Sequence, residues 1–400
     1  MADDDQLELT ESGSEELDRV GAEGEDDLVG LNSKTLSEAV LFSTDWTVET
    51  ILLQLKRGTI HLNPKYQRRD AWRVGLKSRF IESLFLGLPV PPLVLAEAKG
   101  KRGSYIVIDG KQRLLTIRQF AASNDDADYP RLKLSGLEIL PELNGMSMSD
   151  LESSGRPNPE LEAFRNHTIR TVVIRNWPNE SYLLLVFLRL NTGTVQLSPQ
   201  ELRQALNPGP FVDFTVECSG NSVGLMHILK RDKPDFRMRD VELLVRFYAF
   251  KNFLPHYAGN LRDFLDQTCS KLNNDWKSRE KEIELQAGEF EAAIDATYQI
   301  FGKDAFRKWD GEKFESRLNR AVFDIMTYYL SVKTTRDAAI QNSQTVKSAF
   351  QRICTEDPAF RKTLESTTKS LDATRTRFMA WGQELNQALH MQIRLPLIGV

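Results

Sequence analysis

The sequence predicts an α+β chain, a small mixed α/β domain followed by a mainly α-helical one. Three observations carry this expectation. Between about residues 38 and 206, short apolar runs of strand type alternate with amphipathic stretches of helical period. From about 210 to 395, apolar and aromatic residues recur at three- and four-residue steps with little strand-type alternation. At 400 residues and 41% hydrophobic content, the chain can bury a large core in two or three domains.

The elements follow in order. Thr47 can cap an amphipathic helix from Val48 to Leu55 that ends at Gly58, after which Ile60 to Leu62 reads as a brief extended run. Asn63-Pro64 turns the chain, and Tyr66, Gln67 and Arg68 fall in a loop before a helix around Arg79 to Phe85. Pro89, Pro91 and Pro92 exclude helix; the strands Leu93 to Glu97 and Tyr105 to Ile108, joined by the basic loop Lys99 to Ser104, form a hairpin. A helix runs from Lys111 to about Ala122. Residues 132–134 and 137–140 alternate like short strands, and the Ser-, Gly-, Asn- and Pro-rich stretch 144–159 reads as a loop. A strand is expected over Ile169 to Arg175 and a buried helix over Ser181 to Leu190, stopped by Asn191-Thr192-Gly193. Ser198, Pro199 and Glu201 then start another helix with a capping box, which explains Glu201 structurally. In the C-terminal half, helices are expected over Val241 to Phe250, Ile283 to Phe301, Phe314 to Leu330, Val346 to Cys354 and Phe360 to about Leu389, as a bundle whose aromatic stripes are core.

Charge is unevenly placed. The first 30 residues hold twelve acidic side chains against Arg19 alone, a net −11, so the net −4 of the whole chain leaves +7 on the rest. That segment reads as a disordered acidic tail, and a mildly basic body permits nucleic-acid binding without demanding it. Cys218, Cys269 and Cys354 are far apart and odd in number, which suits packing thiols in a reducing compartment. The five histidines form no ligand-spaced cluster, so no metal site is expected from them. There is no apolar stretch of 18 residues and no signal-peptide pattern, so a cytoplasmic protein without membrane contact is expected.

The most informative stretch is the end of the second hairpin strand. Its apolar run stops at Asp109-Gly110 and continues as a helix with Lys111, Gln112 and Arg113 in the first turn. A strand ending in a tight glycine turn aims the N–H groups of the next helix at one point, and an arginine fork there favours phosphate. The same residues also fit a joint in which Arg113 simply pairs with Asp109. Arg189, within the apolar run Val186 to Leu190, must find an anion, either Asp109 or a ligand phosphate, or else reach solvent. Asn191 can be a helix cap or a ligand contact.

Three blocks in order, Asn63 to Trp72 with the run that follows it to Leu95, Ile106 to Ile117 around Asp109-Gly110-Lys111-Gln112-Arg113, and Phe187 to Arg203, resemble the N-terminal domain of GmrSD-type restriction systems, within the ParB/sulfiredoxin-like superfamily. The resemblance covers roughly residues 38 to 206. Where that family reads Asp-Gly-Gln-Gln-Arg, this chain has Lys111 in place of the first Gln; a lysine meets phosphate as a point charge but lacks the amide's acceptor. The resemblance implies a domain that binds, and in some relatives hydrolyses, a nucleoside triphosphate, with magnesium as a further expected cofactor. It also implies action against foreign DNA, with DNA and a separate nuclease or effector as expected partners. Carried over by position, Asp109 and Arg113 are the catalytic candidates. Arg68, Gly110, Lys111, Gln112, Arg113, Arg189 and Asn191 are the phosphate-binding ones, and Tyr66, Gln67 and Trp72 support them. Such a site works by positioning and charge neutralisation, and no Walker loop is present. Two alternatives stay open. One is a DNA-binding or regulatory module without turnover; His227, His256 and His390 are isolated and suggest no nuclease in the C-terminal half. The other is a nuclease within the ParB-like domain, for which only Asp70 and Asp109 are candidates.

Overall fold

The computed structural model describes residues 37–62, 71–153, 158–190, 198–365 and 368–399; the acidic segment 1–30 and the expected site residues Tyr66, Gln67, Arg68 and Asn191 lie outside them. The chain forms two compact units. One spans residues 28–206 and takes in Phe236–Met238, and the other comprises 207–235 and 239–400. The first is mixed α/β and the second helical, the α+β class expected. No described helix is long and apolar enough to cross a membrane.

The first unit is built on a five-stranded sheet of order β1-β5-β3-β4-β2, with β1 at Val40–Thr47, β2 at Ile60–His61, β3 at Leu93–Glu97, β4 at Tyr105–Asp109 and β5 at Thr168–Arg175. The expected hairpin is present, β3 pairing antiparallel with β4. Side chains alternate across β4 and cover both faces. Tyr105 and Val107 join a core with α1 (Val48–Lys56), α2 (Val74–Phe85) and α3 (Lys111–Phe120), whereas Ile106 and Ile108 join a second core with α6 (Glu180–Leu190) and α7 (Pro199–Leu206). In the first core Phe85, Phe120 and Phe164 meet with ring centroids 5.3–5.8 Å apart. Helix α1 begins where expected, the Thr47 hydroxyl accepting from Thr50 N–H at 3.2 Å.

Several expectations fail for identifiable reasons. Strand β1 has no counterpart in the sequence reading. It is an edge strand with Val40, Leu41 and Phe42 about half exposed, and its pairing partner β5 lies more than 120 residues away. Residues 132–140 form no strand, although Leu132, Leu134 and Leu137 are buried as their alternation suggested. Side chains take the backbone donors that a neighbouring strand would take. Ser78 Oγ accepts from Ser135 N–H at 2.9 Å, Asn144 Oδ1 from Leu137 N–H at 3.0 Å, and Glu82 Oε1 from both Ile139 and Leu140 N–H at 2.9 and 2.8 Å. The stretch read as a loop over 144–159 holds α4 (Met148–Glu152) and the start of α5 (Pro159–Asn166). Its polar residues are caps, with Ser147 and Asp150 in a capping box and Asn158 accepting from Leu161 N–H.

The second unit comprises α8 (Pro210–Asn221), α9 (Val223–Ile228), α10 (Arg239–Phe253), the 41-residue α11 (Leu261–Phe301), α12 (Arg320–Leu330), α13 (Lys333–Gln341), α14 (Ser343–Glu356), α15 (Pro358–Glu365) and α16 (Leu371–Leu389). The single helix expected from Phe360 to Leu389 is two, because Ser370 caps α16 by accepting from Ala373 N–H. Cys269 and Cys354 are buried thiols, and burial pushes the Cys354 pKa up to about 12. At the centre, α10, α12 and α16 meet through charge. Arg246 donates to both oxygens of Asp324 at 2.9 and 2.5 Å, and Arg377 approaches the same carboxylate at 4.0 Å while donating to the Thr363 and Thr368 carbonyls. Burial lowers the Arg377 pKa to about 10 against the pull of Asp324.

Two measurements test this account. Asp324→Ala leaves two guanidinium groups buried without their carboxylate and should lower unfolding free energy by about 3–5 kcal/mol, read as a shift of the urea midpoint. Glu82→Ala should cost about 1–3 kcal/mol and open the amides of Ile139 and Leu140 to hydrogen exchange. Glu82→Gln, which retains a carbonyl acceptor, should recover most of that protection.

Candidate functional site

The site is assembled where β4 hands over to α3. On β3 and β4, Val94 pairs with Asp109 but Leu95 pairs with Val107, so Ile108 is an extra residue on the β4 side. Such a bulge kinks the strand end and re-aims the side chain that follows. Gly110 then turns the chain at φ +95°, a conformation that side-chain-bearing residues rarely adopt. A Cβ there would lie 2.4 Å from Leu93 Cδ2 and 3.2 Å from an Arg113 nitrogen. Glycine is therefore required twice, for the dihedral and for the space. Helix α3 starts without a side-chain cap, which leaves the positive end of its dipole facing outward.

The first-turn side chains are already organised. Asp109 Oδ1 accepts from the Gly110 N–H at 2.7 Å, and Oδ2 accepts from Arg113 at 2.9 Å; the same Arg113 nitrogen donates to the Pro92 carbonyl at 3.0 Å. The pairing of Arg113 with Asp109, one of the two readings open from sequence, is thus present. The Arg113 side chain is 12% exposed and that of Asp109 is 34% exposed, so the carboxylate is the more open partner. Lys111 reaches across to Glu201 on α7, its Nζ 2.5 Å from Oε1, with both side chains nearly buried. Glu201 does serve the expected capping box, Oε2 accepting from Ser198 N–H at 2.8 Å and its own N–H donating to Ser198 Oγ at 3.1 Å. Its other oxygen holds Lys111, a role the capping pattern did not suggest.

Two polar atoms in this turn are buried without a partner among the described residues, Gln112 Oε1 and Arg113 Nε. Helix α7 adds three more. Gln200 and Gln204 are 2% and 1% exposed; Gln200 Oε1 accepts from Arg203 at 2.6 Å, but Gln200 Nε2 and both amide atoms of Gln204 are unpartnered. The sequence shows these glutamines on a well-capped helix and nothing that marks them as buried. Gly110, Lys111, Gln112 and Arg113 are brought together with Asp109. Arg189 stands exposed in the last turn of α6, where it reaches solvent. Trp72 packs edge-on against Phe80 at 5.6 Å, as part of the core. Tyr129, unforeseen from sequence, donates to the Leu62 carbonyl at 2.7 Å. Burial raises its pKa to about 12, which keeps that hydroxyl a donor.

Gly110→Ala should destabilise the domain strongly and move Leu93, as read by thermal denaturation. Adding Leu93→Ala should relieve the clash while leaving the cost of the left-handed dihedral, roughly 1–2 kcal/mol. A single Gly110→Ala variant as stable as wild type would refute the close approach. In comparisons with known proteins, no curated protein and no solved structure matches. A family model described as GmrSD restriction endonuclease, N-terminal domain, matches residues 48–207, from the start of α1 to just past the end of α7. That segment, which contains the whole β4–Gly110–α3 joint, is what this chain has in common with the GmrSD restriction endonuclease N-terminal domain family.

Proposed function

We propose that the α/β unit binds a nucleoside triphosphate, its phosphates at the head of α3, as a component of a restriction or defence system against foreign DNA. The family supports the restriction part of this reading. The observation that carries the nucleotide part is the buried, unsatisfied Arg113 Nε in the first turn of α3, a donor for phosphate; Gln112 Oε1, unsatisfied beside it, is an acceptor and would take a ligand donor such as a ribose hydroxyl. Each unsatisfied buried group costs about 1–3 kcal/mol, which a ligand pairing with it recovers. A guanidinium N–H is a good phosphate donor, and the uncapped end of α3 adds its dipole.

The charges at this joint are balanced before any ligand arrives, since Arg113 faces Asp109 and Lys111 faces Glu201. Phosphate charge must therefore be met by further cations. Arg68, carried over from the family pattern, is one, and magnesium accompanying the phosphates would neutralise them further, with Asp109 orienting the arginine or a water bound to that ion. Among the described residues, the two carboxylates bonded to first-turn side chains of α3, Asp109 and Glu201, are tied to cations. That favours a second reading, binding without turnover, because neither carboxylate is unengaged and ready to act as a general base.

The test is a thermal-shift and phosphate-release screen with ATP, GTP, CTP and UTP plus magnesium. Gln112→Leu removes an orphaned acceptor, so it should melt no lower than wild type and yet lose the nucleotide-induced shift. Arg113→Ala should lose the shift and also melt lower, because Asp109 and the Pro92 carbonyl lose their donor. A full shift in Gln112→Leu, or none in wild type with any nucleotide, would overturn the proposal. Phosphate release separates turnover from binding.

A further inference from the structure

We infer that the buried amide face of α7, Gln204 with Gln200, reads the base of the nucleotide whose phosphates lie at the head of α3; this rests on the nucleotide reading above. Gln204 is 1% exposed, and neither its carbonyl oxygen nor its amide nitrogen has a partner among the described residues. Gln200, four residues earlier and so its neighbour on the helix surface, is 2% exposed with its amide nitrogen also unpartnered. Three buried amide atoms on one helix face, all unsatisfied, are far from the usual state of protein interiors. The α7 contact to the apolar core is made by Leu202 with Ala205 and Leu206, not by these glutamines.

The face is tied to the phosphate end of the site. Glu201, next to Gln200 and three residues before Gln204, bonds Lys111 in the first turn of α3 at 2.5 Å. Gln204 is therefore less than one helical turn along α7 from that contact, about 4.5 Å in rise. A primary amide sets a donor beside an acceptor, the complement of a nucleobase edge that does the same. Phosphate contacts carry no base information, so a nucleotide site that discriminates between bases needs such a group in addition. The ligand class is thus a nucleobase edge with adjacent donor and acceptor.

The experiment is calorimetric titration of the full chain with the four nucleoside triphosphates and with inorganic tripolyphosphate, for wild type, Gln204→Leu and Gln204→Met. Both variants remove two unsatisfied atoms at similar volume, and the second guards against a packing fault in the first. Wild type should prefer one nucleotide over the others by about tenfold or more. Both variants should lose that preference while binding tripolyphosphate as wild type does. If the variants keep the preference, or if wild type binds all nucleotides and tripolyphosphate alike, base reading by Gln204 is overturned and the phosphate site stands. If neither nucleotides nor tripolyphosphate bind to wild type, both readings fall together.

Discussion

The left-handed turn at Gly110, pressed against Leu93, is the constraint on which the α/β unit's candidate site depends. It lets α3 leave the end of β4 at an angle that returns the first turn over its own strand. Only then can Asp109 accept from both the Gly110 N–H and Arg113, and only then can Arg113 reach the Pro92 carbonyl at the entrance to β3. The side chains in this joint form a closed loop of hydrogen bonds between three consecutive elements. Remove the turn and these bonds lose their geometry together, because Arg113 reaches both Asp109 and Pro92 from the first turn of α3.

Lys111, the position where this chain departs from the family pattern, takes on a different meaning beside Glu201. An ammonium on a long stem can span the gap to α7, which an amide would do without charge. Glu201 divides its oxygens, one closing the cap of α7 and one holding Lys111. The start of α7 and the start of α3 are therefore registered to one another by a single carboxylate. The bond is nearly buried on both sides, where screening by salt is weak and geometry is enforced.

What could be read from sequence divides cleanly by range. The Thr47 cap, the β3–β4 hairpin, the Ser198 capping box and the glycine turn at 110 are local, and their residue chemistry names them. Strand β1 could not be read, because its pairing with β5 is long-range and its exposed apolar residues lack a helix-like or alternating pattern. The stretch 132–140 misled for the converse reason. Its alternation reported burial correctly, but nothing local said that Glu82, Ser78 and Asn144 would replace a strand partner. At the site, the Asp109–Arg113 pairing was one of two readings from spacing alone. The burial of Gln200 and Gln204 was invisible, since it depends on what packs around α7 and not on the helix itself.

The extra residue in β4 also bears on which changes of chain length the domain can absorb. Side chains in a strand alternate faces, so the count of residues between Val107 and Asp109 decides where the carboxylate points. Ile108 is unmatched on β3 and buried in the second core, with Ile106, Leu183 and Phe187. A chain one residue shorter there would lose the bulge, leaving Asp109 opposite Val94 but without the kink that re-aims the strand end. The aim of this site is therefore written in arithmetic as much as in chemistry: β4 can exchange one apolar residue for another, but losing the extra residue would straighten the strand end from which Asp109 and α3 start.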